Sequence, residues 1–396
     1  MKSLGQVVHE IGIAGQVWMR ARRRRAAAGA APAVTEDAFR VELSRILAQA
    51  PSSVVRGYRF VRVPADRPPW LDAGVDLVEG QQVTWFATGR TYLSRALDIW
   101  AGPHFQLWAR IGEEGTIFRG VRNGHSFAAP RSGRLFLASY FPGEWADPTG
   151  GLATDPRLYR KVSGGMLVLL VRWAAGVKPR DGLAALARGG DALGLLADEL
   201  DRLTAPVEPP EGWRHHWILG PSEIFSSASS EDGRPCIRCD TEADVSILQK
   251  DAPLALTAGT RLRWRWKVDA LPSDLPEDTI PTHDYMSVAV ELENGQDLTY
   301  YWSAKLPPGT IYRCPLPTWA SRETHWVLRS GPAGLGQWHE EERPLLEDYR
   351  AAVGGEPPAR IVRVWLIAVS VFQRRRGRCE WADISLRDGA RTVAVG

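Results

Sequence analysis

Trp70–Leu93 reads WLDAGVDLVEGQQVTWFATGRTYL, Leu107–Val121 reads LWARIGEEGTIFRGV, and Phe127–Gly151 reads FAAPRSGRLFLASYFPGEWADPTGG. Short alternating apolar runs are cut by glycine-containing turns, the pattern of half-buried antiparallel strands. A sandwich of such strands carries its loops at its ends, where ligands bind. The polar loop Tyr140–Gly151 closes the stretch, so its chemistry bears on whether this half of the chain binds anything.

Outward from that stretch, the first sandwich is expected over residues 54–175, ending in the apolar strand GMLVLLVRW at Gly165–Trp173. Helical periodicity returns over 180–205, with Leu183, Leu186, Leu193, Leu196 and Leu200 in phase and Gly189-Gly190 as a break. Pro206, Pro209 and Pro210 then lead to a second domain over 211–390. Its Arg261–Val268 alternates strictly, putting Leu262, Trp264, Trp266 and Val268 on one face. Ser287–Leu292, Leu298–Trp302 and Ile361–Phe372 continue the strand pattern. A helix is expected over Glu340–Val353, because Glu340–Glu342 suit a helix N-terminus.

Residues 1–50 form a helical N-terminal segment. Leu4, Val7, Val8, Ile11, Gly15 and Trp18 share one helical face, and Arg20 and Arg22–Arg25 follow at the end where cations suit the helix dipole. Such a helix either touches a membrane or protein partner, self-association included, or docks on its own chain. Ala-Gly-Pro-rich residues 26–34 read as a linker, and Thr35 as the cap of a second helix with Phe39, Leu43, Ile46 and Leu47 inside. The expected fold is mainly β: two jelly-roll-like β-sandwiches with an N-terminal helical segment and a helical linker.

A length of 396 residues allows two or three cores. The net charge of +3 is too small to suggest a nucleic-acid partner, which needs a concentrated basic face. No run reaches the ~18 apolar residues of a transmembrane segment. The start lacks a secretory pattern, and the segment after Arg22–Arg25 is too weakly apolar for twin-arginine export, so a cytoplasmic location is expected. The chain holds 17 tryptophans, which serve cores and also offer stacking platforms for sugar rings. Cys236 and Cys239 have metal-site spacing, but positions three apart on a strand point to opposite faces, so all four cysteines read as structural. The same alternation argues against a joint metal site at His215-His216.

The first sandwich resembles the calcium-dependent galactophilic bacterial lectins of the PA-I type. The likeness rests on Gly74-Val-Asp-Leu before Glu79-Gly80, Ala87-Thr-Gly89, Arg110-Ile-Gly112, and Phe127-Ala-Ala-Pro130 with Gly133-Arg-Leu-Phe. In that family sugar hydroxyls coordinate a calcium ion held by the last loop, since calcium takes six to eight oxygens. The resemblance puts Asp147 and Thr149 at ligand positions and Tyr92 near a coordinating tyrosine. Ser139, Tyr140 and Pro148 replace other donors, so the calcium ligand set is incomplete and no cofactor is assured. Trp100, His104, Tyr140 and Trp145 could bind a sugar without metal, by stacking and hydrogen bonds.

The C-terminal half resembles a bacterial domain-of-unknown-function family of β-sandwich character. Trp264-Arg-Trp-Lys-Val-Asp269, Val327-Leu-Arg-Ser-Gly-Pro-Ala-Gly-Leu-Gly336 and Glu340-Glu-Glu-Arg343 carry it. An Asp-Asp pair usual in that family appears here as His283-Asp284. Its acidic loop near the end is replaced by the basic Ser370–Gly377, whose Arg374–Arg376 is either a solvated hairpin tip or a contact for an anionic sugar or phosphate. Asp284, Glu291, Trp302 and Arg329 are the candidates of this half.

No GxSxG, P-loop or HExxH motif occurs. The expected function is a non-catalytic carbohydrate-binding, lectin-like protein with a carbohydrate or glycoconjugate partner. The alternatives are a scaffold using both sandwiches and the N-terminal helices, and a glycan-active enzyme working through the C-terminal domain, with carboxyl groups such as Asp284 and Glu291.

Overall fold

A computed structural model describes residues 4–27, 34–389 and 391–396, so positions 28–33 of the expected linker and the Leu4 side chain lie outside the described residues. The chain forms two compact units, Met19–Val207 and Met1–Trp18 with Glu208–Gly396. The fold is mainly β, and each unit is a sandwich.

In Met19–Val207 the strands are β1 (Val55–Pro64), β2 (Trp70–Leu77), β3 (Gln82–Ser94), β4 (Ile99–Ala101), β5 (Leu107–Ile111), β6 (Phe118–Arg119), β7 (Gly124–Ala128), β8 (Gly133–Ser139) and β9 (Ser163–Trp173). One sheet has the order β1-β9-β3-β4, with β7 also paired to β3; the other is β2-β8-β5-β6. Val61, Val63, Val75, Trp85, Leu137, Val168 and Leu170 fill the space between them. The opposite face of the β9-containing sheet, with Phe86, Leu167, Leu169 and Val171, is covered by helices. These are α2 (Glu36–Ala48), α4 (Pro179–Ala187) and α5 (Leu195–Thr204), which contribute Phe39, Leu43, Leu183, Leu186 and Leu196. Residues 180–205 are thus a layer of the sandwich. Burial on both faces explains why β9 is apolar without alternation.

Thr35 caps α2 as expected, its hydroxyl accepting from the Ala38 N–H at 3.1 Å. Helix α1 (Leu4–Ala27) forms, but with a different face inward from the one the apolar stripe suggested. Ile13, Val17 and Ala21 are buried, whereas Val7, Val8, Ile11 and Trp18 are exposed. The buried positions recur every four residues along the helix. Among the described residues no helix is long and apolar enough to cross a membrane.

The second sandwich contains β10 (Arg214–His215), β11 (Phe225–Ser229), β12 (Pro235–Thr241), β13 (Val245–Ala255), β14 (Arg261–Ala270), β15 (Tyr285–Leu292), β16 (Asp297–Ser303), β17 (Ile311–Arg313), β18 (Glu323–Ser330), β19 (Trp338–Pro344), β20 (Arg360–Val369), β21 (Gly377–Asp388) and β22 (Arg391–Ala394). One sheet runs β10-β13-β20-β15-β16-β18-β17, the other β11-β12-β21-β14-β19 with β22 on β21. Leu262, Trp264, Trp266 and Val268 of β14 meet Tyr300 and Trp302 of β16 in one core, as the alternation predicts.

Glu340–Glu342 lie in β19, not at a helix start; the helix α6 spans Leu345–Ala352. The acids stand opposite Arg263, Trp264 and Arg265 of β14, and Glu340 pairs with Arg263. Cross-strand charge pairing outweighed the dipole preference. The pair β16/β18 is parallel, unlike the antiparallel pairs around it, because residues 304–322 return the chain to the same end before β18 begins.

Candidate functional site

The residues expected at a sugar site of the first sandwich fall into separate groups. Tyr92 and Trp100 are direct partners across the β3–β4 ladder and share a face. Both are partly exposed, with the Arg90 guanidinium 4.0 Å from the Trp100 ring and that of Arg95 4.2 Å from the Tyr92 ring. His104 lies just beyond β4, in the short helix α3 (Pro103–Gln106), and its N–H donates to Asn123 Oδ1 at 3.1 Å. Tyr140 and Trp145 belong to the interior. They are each 2 % exposed and pack on one another, with Phe105, Trp108 and Trp70 around them. They cannot offer a stacking surface, because the loop folds back and uses its aromatics as its own core.

Asp147 and Thr149 do come together, but inside a local turn. Asp147 Oδ1 accepts from the Thr149 N–H at 2.7 Å and the Thr149 hydroxyl at 2.5 Å. The Thr149 hydroxyl bond, with backbone N–H bonds, holds the Asp147 carboxyl below its usual range. The neighbouring carbonyls face protein donors: Pro148 accepts from Ile117, Thr149 from Arg110 and Gly150 from the Trp70 indole. Ser139 Oγ is 3.1 Å from Thr91 Oγ1. With a guanidinium at the loop and its oxygens turned to N–H groups, these residues do not fit the oxygen cage of calcium.

In the second sandwich the four candidates are not one site. Asp284 is buried and accepts from the backbone N–H groups of Phe372 and Gln373 at 3.0 and 2.5 Å. Glu291 pairs with Arg363 at 2.7 Å. Seven residues of extended chain separate the two acids by roughly 23 Å, and their odd spacing puts them on opposite faces. Paired carboxylates of a glycosidase stand about 5–10 Å apart, so this pair cannot serve. Trp302 and Arg329 are ladder partners, with Trp302 buried and donating to the Gly331 carbonyl and Arg329 paired with Glu341. The basic loop is also paired internally, Arg375 with Asp274 and Arg376 with Asp240.

Residues 211–385 match the family model described as "Protein of unknown function (DUF3047)". The chain matches no curated protein. Among solved structures it is similar to the PllA-like lectin N-terminal domain of EclA, at 19 % identity over 31 % of this chain and 99 % of that one, TM-score 0.23. It is similar to the xyloglucanase domain of NopAA, a type three effector from Sinorhizobium fredii, at 10 % identity over 46 % and 98 %, TM-score 0.29. The tandem CBM22 domains of Paenibacillus barcinonensis Xyn10C align at 10 % identity over 85 % and 92 %, TM-score 0.23.

A further group, unforeseen in the sequence, sits on the side of the β15-β16-β18 sheet away from the main core. His283 precedes β15, Cys314 follows β17, and Glu323 and His325 share one face of β18. Their possible ligand atoms all lie within 4.8 Å of one another, and all four residues are buried. Tyr285, Tyr301 and Tyr312 surround the His325 ring, with centroids 4.8, 5.7 and 5.0 Å away. Burial, with help from His325, drives His283 down to about 3, which keeps it neutral. Burial and the Glu323 charge push the Cys314 thiol up. Burial opposes ionisation of Glu323, yet the adjacent His325 holds its carboxyl low, at about 2. The signal that could have found this group is Glu323-Thr-His325, two metal-capable residues at strand spacing i, i+2.

Proposed function

We propose that the protein recognises carbohydrate without chemically altering it, at the rim of the first sandwich where β3, β4 and α3 meet. The observation that carries this reading is the partly exposed pair Tyr92 and Trp100, side by side on one face of the β3–β4 ladder. Aromatic faces take the C–H face of a sugar ring, the Tyr92 hydroxyl and His104 supply polar groups at the edge, and the Arg90 and Arg95 guanidiniums, which lie over the Trp100 and Tyr92 rings, supply donors on that side. Binding by stacking and hydrogen bonds needs no calcium. The separation of Asp284 from Glu291 speaks against the hydrolase alternative at that pair.

A glycan array probed with the full chain, with and without a chelator, tests the reading. A sugar retained equally in both conditions, and bound about tenfold more weakly by Trp100→Ala and Tyr92→Ala, is the expected result. No retained glycan, or retention indifferent to both substitutions, overturns it.

A second reading, of an assembly protein, is favoured by the exposed Val8, Ile11, Trp18 and Met19 of α1. Light scattering of the full chain should then show a larger species that Ile11→Glu with Trp18→Glu converts to monomer. A wild-type chain that is already monomeric at high concentration excludes self-association through this helix.

A further inference from the structure

We propose that His283, Cys314, Glu323 and His325 hold one zinc ion in a closed, four-coordinate site within the second sandwich. Zinc bonds of about 2.0–2.3 Å at tetrahedral angles place neighbouring N, O and S donors about 3.4–3.6 Å apart. Cys314 Sγ already stands 3.3 Å from His283 Nε2, and His325 Nε2 stands 3.4 Å from Glu323 Oε2. Two opposite edges of the tetrahedron are therefore near their bound length. The remaining separations, none above 4.8 Å, need to shorten by no more than about 1.4 Å.

The surroundings orient the donors as metal sites do. His283 Nδ1 lies 2.8 Å from the Glu277 carbonyl, so that nitrogen carries the proton and Nε2 presents its lone pair to the cluster. The Tyr285 hydroxyl donates to Glu323 Oε1 at 2.8 Å, leaving Oε2 toward His325. His325 is wholly buried; its Nδ1 has no hydrogen-bond partner, and its Nε2 meets only Glu323 Oε2, at 3.4 Å. A native interior rarely leaves a buried imidazole so poorly satisfied, and a metal at Nε2 would give it a strong bond on that side.

Donor type selects the ion. Two imidazoles, one thiolate and one carboxylate suit zinc and not calcium or magnesium, which take oxygen. The two anionic ligands balance the +2 charge, so the buried site is neutral overall. Uptake replaces the thiol hydrogen of Cys314 by a zinc–sulfur bond and releases that proton to solvent. His283, Cys314, Glu323 and His325 are 1, 2, 3 and 0 % exposed, and the protein supplies all four positions. This marks a structural site rather than a catalytic one. The ion would tie together the entry to β15, the exit of β17 and strand β18, pinning the excursion 304–322 that lets β16 and β18 run parallel.

The test uses the full-length chain. Elemental analysis should find one zinc per chain, removal by chelator should lower Tm, and re-addition of zinc should restore it. Cobalt(II) added to the stripped protein should give the intense visible bands of tetrahedral coordination with a thiolate-to-cobalt charge-transfer band. Cys314→Ser should lose the charge-transfer band. Stripped wild-type protein that develops no such band overturns the site, whatever the variants do. A band that persists in Cys314→Ser overturns the ligand assignment, and a Tm indifferent to metal overturns the structural role.

Discussion

Asp284 and Phe372 are joined by a hydrogen bond of 3.0 Å from the backbone N–H to the buried carboxylate, and the next N–H, of Gln373, donates to the same group. One side chain thus closes the turn between β20 and β21 onto the start of β15. Both N–H groups would be orphaned without it, and each charge-assisted bond contributes about 1.5–3 kcal/mol. Asp284→Ala should destabilise the chain by roughly 3 kcal/mol, and Asp284→Asn by less, since an amide oxygen still accepts. Urea midpoints followed by tryptophan fluorescence check the order; equal midpoints for Asp284→Ala and wild type would show that the carboxylate is dispensable.

His125 packs between aromatic groups, its ring centroid 4.9 Å from that of Trp85 and 6.1 Å from that of Phe127. Burial first, then the charges of Arg202 on α5 and Arg119 on β6, hold it down at about 3; Arg202 is itself paired with Glu199 at 2.6 Å. The unfolded chain binds the proton near pH 6.5, so the contribution is complete above that value and is lost as pH falls toward 3. At pH 4.5 about 3 kcal/mol should have gone, at 1.36 kcal/mol per unit. His125→Phe should remove this part of the acid sensitivity. The difference between the two stability profiles from pH 7 to pH 4.5 reads it directly, and parallel profiles would exclude His125 as its source.

Gly182 lies in α4 against the indole of Trp173: a Cβ there would meet the ring at 2.3 Å. The indole cannot simply swing away, because its Nε1 donates to Thr84 Oγ1 at 2.9 Å. Gly→Ala inside a helix ordinarily gains about 1 kcal/mol. Here overpacking, worth about 1–3 kcal/mol, should win, so Gly182→Ala should lower stability. A raised thermal midpoint would mean that the helix moves off the sheet at little cost.

Much of the fold was legible because single strands carry their own signature. The alternation of β14 announces a buried face of Trp264 and Trp266 and an outer face of Arg263 and Arg265; the unbroken apolar run of β9 announces burial on both sides. Two things were hidden by competition between rules. Glu340–Glu342 satisfy a helix N-terminus as well as a strand edge, and only the arginines of β14 decide between them. The loop Tyr140–Gly151 offers Tyr140, Trp145 and Asp147 as ligand groups, but its own packing consumes the two rings and its turn consumes one carboxylate oxygen. The His283, Cys314, Glu323 and His325 group is spread over three segments, brought together by a parallel strand pair that no local pattern encodes.

Helix α1 presents the sharpest contrast between pattern and packing. Val7, Ile11 and Trp18 line one side, whereas Ile13, Val17 and Ala21 recur every four residues on another. Val17 is 2 % exposed and Ile11 67 %. An unpaired ammonium forced into the first position has no partner and no water, so Val17→Lys should cost roughly 3 kcal/mol or more. Ile11→Lys should stay within about 0.5 kcal/mol, as solvent-facing substitutions do. Thermal melts of the two variants separate the faces. If Ile11→Lys proved the more damaging, the stripe read from hydrophobic spacing would be the docked one, and the exposed apolar face invoked for assembly would not exist.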